Sequence, residues 1–176
     1  MQPPERFATA RLVMRRPLAA DARAIFDEYA QDPDVTRYLS WRPNRSLEEA
    51  AAFVEACNDG WAQAKSFHYC LVVNGAAVGM ISLRPNDHRV QFGYVLTRRL
   101  WGQGLTAEAL SCLADWALGQ PEVHRAQALC EATNTASARV MEKAGFALEG
   151  VLRRWLVFPN LGPEPRDCRM YARVRG

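Results

Sequence analysis

Lysine is scarce in this chain. Lys65 and Lys143 are the only two among 22 basic residues, and arginine supplies the rest. The arginines are spread along the sequence and the net charge is only +3, so no basic stripe of the kind that grips nucleic acid is expected. The five cysteines, Cys57, Cys70, Cys112, Cys130 and Cys168, are odd in number, widely spaced and without a C-x-x-C pair. That pattern excludes a disulfide framework and a cysteine zinc site, and most of the thiols sit in apolar runs as buried free cysteines do. No apolar run approaches the roughly 18 residues of a membrane span, and no signal-peptide apolar region opens the chain, so a soluble, cytoplasmic protein is expected. Repeats, low-complexity tracts and linkers are missing as well. What remains is 176 residues, 49% hydrophobic and 23% charged, which suits one domain with a continuous core over residues 1–176.

Punctuation divides the chain into short elements. Arg11 to Arg16 reads as a strand stopped by Pro17. Asp21 caps a helix to about Gln31, and Ser46 with Glu49 forms a capping box opening a helix to about Lys65. Between these helices lies an aromatic, proline-bearing connection, "DPDVTRYLSWRPN", read as a loop on a core edge or at a substrate mouth. Two apolar runs flank Asn74-Gly75, a strong hairpin signal, and a third strand runs from about Val90 to Leu96. A helix from Gly104 to Leu118 follows, then a buried strand over His124–Ala132 and a helix from Asn134 closed by Gly145. Strands over Ala147–Phe158 and Arg166–Val174 finish the chain. The order implies an α+β fold: one mixed, mostly antiparallel sheet of six to seven strands flanked by about four helices. Repeated βαβ units, the mark of a doubly wound fold, are missing.

The most informative stretch is "LTRRLWGQGLTAEALSCLADWALG". Two glycines, Gly102 and Gly104, lie between a strand and a helix N-terminus, a geometry that offers free backbone N–H groups to an anion. No lysine follows the second glycine as a Walker loop requires. The third position after Gly104 is Ala107, which spoils a dinucleotide fingerprint. A plain tight turn needing glycine remains open on local grounds.

Taken together, "YVLTRRLWGQGLTAEAL" and "NTASARVMEKAGF" resemble the GNAT superfamily of acetyl-CoA-dependent N-acetyltransferases, within it the RimJ/RimL-like branch. The likeness extends from "TARLVMRRPL" to "RDCRMYARV". It implies that Gly102, Gln103, Gly104, Leu105, Thr106 and Ala107 bind the pyrophosphate of acetyl-CoA. Trp101 holds the first position of the superfamily's Q/R-x-x-G-x-G/A signature. Thr106 holds its last, where the hydroxyl replaces a glycine or alanine. The resemblance also implies that backbone groups of Tyr94, Val95 and Leu96 meet the pantetheine arm, with the Leu96 N–H aimed at the thioester oxygen. The side chains of that strand have an ordinary alternative in core packing.

The same resemblance assigns Asn134 to the pantetheine arm, while the residue type alone fits a helix N-cap. Many members carry a general-acid tyrosine seven residues after this asparagine; here that position is Met141. RimL-like members use the serine three residues after it, here Ser137, whose alternative role is a small first-turn residue. The base is not legible. The glutamate of RimL-like members falls by spacing on Leu156, and Asp87, His88, Glu131 and Glu149 are available carboxylates or imidazole, each with a surface or structural role as its alternative. Tyr38, Trp41 and Arg42 are expected to wall the acceptor site, with core packing as the alternative for Trp41. The implied function is acetyl transfer to a primary amine, of a small molecule or a protein N-terminus, within a ternary complex. The alternative is an inactive acyl-CoA-binding module. No metal, nucleic acid or membrane partner is expected, and a homodimer is left open.

Overall fold

The Asn74-Gly75 turn forms as the pair dictates. Both residues take positive φ, 50° and 82°, and join β3 (Phe67–Val73) to β4 (Ala76–Asn86) with only two residues between paired positions. In the computed structural model, which describes residues 1–176, this hairpin anchors an eight-stranded sheet. Its strand order is β1-β2-β3-β4-β5-β6-β8-β7. β1 is Arg6–Ala8, β2 Val13–Arg15, β5 Arg89–Leu96, β6 Arg125–Glu131, β7 Ala147–Val157 and β8 Pro165–Val174. Only β5 and β6 pair in parallel, and the crossover between them contains α4 (Leu105–Leu118). The remaining helices are α1 (Asp21–Ile25), α2 (Pro33–Thr36), α3 (Leu47–Ala62) and α5 (Thr135–Lys143).

The sheet has one strand more than the six to seven expected. β1 has three residues, too few for an alternating pattern to register, yet it pairs antiparallel with β2. The expected strand from Arg11 is correspondingly shorter, because Thr9 N–H and Oγ1 both donate to Leu12 O and fold that stretch into a turn. A fifth helix, α2, replaces part of the expected loop. Asp32 Oδ1 accepts from the Asp34 and Val35 N–H groups while Pro33 occupies the first turn, so Asp-Pro acts here as cap and first position. Asp21 does not cap α1; Ala20 holds that position, and the Asp21 carboxylate accepts from Leu18 N–H and Arg15. Beyond Ile25 the helix widens into a π-turn over Phe26–Ala30.

Two cores fill the two faces of the sheet. The larger, 27 residues, sets β3, β4 and β5 against the Ala- and Leu-rich face of α4. The smaller, 11 residues, lies under α1, the π-turn and α3. α3 begins as its capping box predicts, with Ser46 Oγ accepting from Glu49 N–H at 3.4 Å. It ends three residues earlier than expected, at Ala62, because Ala64 turns into the left-handed region at φ 52°.

Candidate active site

β5 and β6 part company at the centre of the sheet, and that parting makes the site. Their parallel pairing runs from Arg89↔Arg125 to Phe92↔Ala128 and stops there, although both strands continue. On its other side β5 stays paired with β4 as far as Gly79↔Leu96. Thr97 N–H donates to Val78 O at 2.8 Å, which fixes the alternation: Val95 and Gly93 spend their backbone groups on β4. The N–H and C=O of Tyr94 and Leu96 therefore point into the gap.

Three contacts hold this strand end. Thr97 Oγ1 donates to Glu28 O in the π-turn at 2.9 Å, and Arg99 forms a double hydrogen bond with the Glu28 carboxylate. Trp101 Nε1 donates to Leu96 O at 2.8 Å, clamping the turn that follows back onto the strand. At Gly79 the chains approach so closely that an added Cβ would lie 2.4 Å from Val95 O and 3.0 Å from Leu96 Cα.

The glycine turn comes next. Gly102 and Gly104 both have φ 77°, a conformation that side chains strain to adopt, and Gly104 is the N-cap of α4. No backbone N–H from Gly102 to Ala107 donates to another group of the chain, so six donors converge at the positive end of a 14-residue helix. Arg11 braces the turn from outside. Its Nη1 donates to Gln103 O at 2.8 Å and its Nε to Glu108 Oε2 at 2.6 Å. Glu108 therefore serves as an anchor for Arg11 as well as a first-turn acid.

α5 closes the other side of the gap. Asn134 caps it, Oδ1 accepting from Ser137 N–H at 3.1 Å, which leaves the amide Nδ2 free to donate. Ser137 Oγ lies 2.8 Å from Tyr94 Oη, and Tyr94 Oη–H donates to Ser137 O at 3.1 Å. Burial pushes the Tyr94 phenol well above its ordinary value. Met141 points away into the main core and is fully buried. Cys130, on β6 beside Ser137, is buried, and that burial pushes its thiol up to about 11.

These elements line one cavity of about 910 Å³, at the upper end of the range for small-molecule sites. Tyr94, Val95, Leu96, Gly102, Gly104, Leu105, Thr106, Ala107, Asn134, Ser137 and Tyr38 all line it. Gln103 does not; its carbonyl is turned to Arg11 on the outside of the turn. Trp41 and Arg42 also lie outside. Trp41 is half-buried and packs on the smaller core, and its carbonyl accepts from Asn160 Nδ2. Arg139 and Lys143, one helical turn apart on α5, line the cavity as cations suited to phosphate. Tyr38, Trp155, Leu156 and Phe158 give the cavity an aromatic and apolar stretch of wall.

None of the four candidate bases is free in this cavity. Burial alone would raise the Glu131 carboxyl, but bonds from Thr133 N–H and Oγ1 and from Arg166 Nε outweigh it and hold it below the usual range. Glu149 is likewise lowered, by two hydrogen bonds that the Arg125 guanidinium donates to its carboxylate. Asp87 and His88 occupy the β4–β5 turn, away from the lining. The single carboxylate in the wall, Asp34, accepts from Arg98 Nη1 at 2.7 Å.

An interior strand edge thus leads into a helix N-terminus with open N–H groups, a place suited to an extended ligand that ends in an anion. Residues 11–147 match the family described as the acetyltransferase (GNAT) domain, and the chain belongs to it. Among its relatives is the uncharacterized N-acetyltransferase p20 of Bacillus licheniformis, 27% identical over 154 residues, covering 85% of this chain and 86% of that one. The fold is shared with the microcin C7 self-immunity acetyltransferase MccE, solved in complex with acetyl-CoA and AMP, at TM-score 0.88, 19% identity and coverage of 99% and 98%. It is shared too with the ribosomal L7/L12 α-N-protein acetyltransferase RimL, solved in complex with coenzyme A, at TM-score 0.81, 21% identity and coverage of 94% and 95%. No group of three or more histidine, cysteine or acidic side chains is arranged to hold a metal ion, and no helix is long and apolar enough to cross a membrane.

Proposed function

We propose that this domain, filling residues 1–176, transfers an acetyl group to the primary amine of a protein N-terminus or an amino-acid-like molecule by direct attack in a ternary complex. Acetyl-CoA supplies the activated acyl group. The unpaired N–H groups of Gly102 through Ala107 suit its pyrophosphate, and Arg139 and Lys143 add positive charge. Leu96 N–H, unpaired at the strand end, is the donor for the thioester oxygen as charge builds there. The free Asn134 amide serves the pantetheine arm, and the Ser137 hydroxyl meets the departing sulfur. With no free carboxylate or imidazole in the wall, the proton of the attacking amine leaves to solvent.

The charge of the cavity carries the choice of acceptor. Beyond Arg139 and Lys143, which serve the phosphates, its wall holds two cationic side chains, Arg37 and Arg84, against one carboxylate already paired with Arg98. Such a wall repels polyamines and aminoglycosides, whereas a single amine flanked by uncharged groups suits Tyr38, Trp155, Leu156 and Phe158. RimL, a neighbour in fold, is by name an α-N-protein acetyltransferase.

The test is release of CoA thiol from acetyl-CoA with a panel of acceptors: short peptides with free N-termini, amino acids, spermidine and kanamycin. Peptide or amino-acid turnover with none on the polycations is the expected result, and preference for a polycation refutes the acceptor reading. Binding of acetyl-CoA without turnover on any amine favours the inactive module. Ser137→Ala lowers kcat and kcat/KM together by about 10- to 100-fold and leaves acetyl-CoA affinity within twofold. A rate within twofold of wild type removes Ser137 from the chemistry.

A further inference from the structure

We infer that Tyr94 is a positioning residue that controls the proton of Ser137, switching it between a resting bond and the departing sulfur. The inference rests on the reading of Ser137 given above.

The two hydroxyls admit two arrangements. A phenol carries one proton, and Tyr94 Oη–H has two acceptors, Ser137 O at 3.1 Å and Ser137 Oγ at 2.8 Å. With the proton on Ser137 O, the 2.8 Å contact runs from Ser137 Oγ–H to Tyr94 Oη. This is the proposed resting state, in which the tyrosine holds the serine proton. The Ser137 amide is fixed independently by Asn134 Oδ1, so the backbone of this turn stays put while the hydroxyls reorient.

Tyr94 has two acceptors within reach on the same residue, and that makes a switch. When its proton swings from Ser137 O to Ser137 Oγ, the serine O–H is released and turns toward the cavity, which both residues line. The Ser137 carbonyl loses little, because as an α5 backbone acceptor it has a second partner one turn on. In this state Tyr94 also donates to the oxygen that donates onward, which polarises the serine hydroxyl.

The chemistry balances without proton transfer through the tyrosine. The amine nitrogen bonds to the acyl carbon, the carbon–sulfur bond breaks, and its electron pair stays on sulfur. The sulfur leaves as thiolate, hydrogen-bonded by Ser137 Oγ–H, while the amine proton passes to solvent. Burial of Tyr94 keeps the phenol protonated throughout, as the switch requires. Position 141, seventh after Asn134, holds a buried methionine, so the aromatic hydroxyl on this helix comes from the facing strand.

The experiment is a double-mutant cycle on the full chain. Single-turnover release of CoA thiol is measured with hydroxylamine, which is neutral at neutral pH and so isolates the leaving-group step. Acetyl-CoA affinity and melting temperature are measured alongside. Tyr94→Phe keeps the ring and is expected to lower the rate about fivefold, the equivalent of one neutral hydrogen bond, with acetyl-CoA affinity within twofold. Because Tyr94 acts through Ser137, its loss and that of Ser137→Ala do not multiply, and the double variant matches Ser137→Ala. Losses that multiply assign Tyr94 an independent role and overturn the switch. A Tyr94→Phe enzyme as fast as wild type beside a slow Ser137→Ala overturns the switch alone. Full rate in Ser137→Ala overturns both readings.

Discussion

Gly79→Ala offers a sharp test of how the strand end is built. The new Cβ would stand 2.4 Å from Val95 O, 3.0 Å from Leu96 Cα and 3.2 Å from Leu96 Cδ1. Two of these three atoms are backbone, so no rotamer change relieves the contact, and the end of β5 must move away from β4. Forcing an extra methyl into a close-packed region costs about 1–3 kcal/mol. In a domain of this size each kcal/mol lowers Tm by about 2–4 °C, so a drop of about 2–12 °C is expected by calorimetry. The same movement displaces the Leu96 N–H and the carbonyl that Trp101 clamps. Acetyl-CoA affinity should fall at least tenfold, about 1.4 kcal/mol by titration calorimetry. Gly150→Ala is the control, since nothing lies within 4 Å of the Cβ it adds. If Gly79→Ala melts within about 1 °C of wild type and binds acetyl-CoA with unchanged affinity, the close approach of β4 and β5 does not set the site.

Two further outcomes follow from the turn and from the small core. Gly104→Glu brings backbone strain at φ 77° and a negative charge to the mouth of α4, and should weaken acetyl-CoA binding at least tenfold; Gly104→Ala brings the strain alone, so equal losses in both would remove the charge argument. Asp21 titrates in a known direction: burial pushes its carboxyl up, but two bonds from Arg15 at 2.7 Å and one from Leu18 N–H at 2.7 Å carry it below the ordinary carboxylate value of 3.8. A lowered value stabilises the fold above that pH and is lost as pH falls through the folded value. The urea-midpoint gap between wild type and Asp21→Asn should therefore be widest near neutrality and narrow below about pH 4, and a gap independent of pH would contradict the ion pair.

Much of this architecture is written in local signals. Asn74-Gly75 needs two positive φ angles, Ser46 with Glu49 needs a helix start, and a glycine pair before an Ala- and Leu-rich helix needs an open N-terminus; each is satisfied without reference to distant chain. What escaped depends on partners far away in sequence. β1 exists because of β2 and has no pattern of its own. The Asp32-Pro33 start of α2 is legible afterwards as cap and first turn, but four residues are too few to show a period. Trp41 sits in a stretch whose aromatics suggest a cavity wall, and only the folded chain shows that it also packs on the smaller core. Arg11 lies 92 residues before the carbonyl that it holds, beyond any local inference. The Tyr94 side chain had a faint signal: an inward-facing strand residue with a polar tip, opposite an N-x-x-S helix start.

The parting of β5 and β6 also bears on solubility and selectivity. Sheets usually leave their unpaired edges on the perimeter, where any extended polypeptide can add itself and seed aggregation. Here a short edge, the backbone of Tyr94 and Leu96, is recessed between two strands of one sheet and roofed by α5. That placement keeps the edge away from the perimeter, where other proteins could pair with it. Under the proposed function, the same recessed edge is the one left for the pantetheine arm, a slender chain that carries amides but almost no branches.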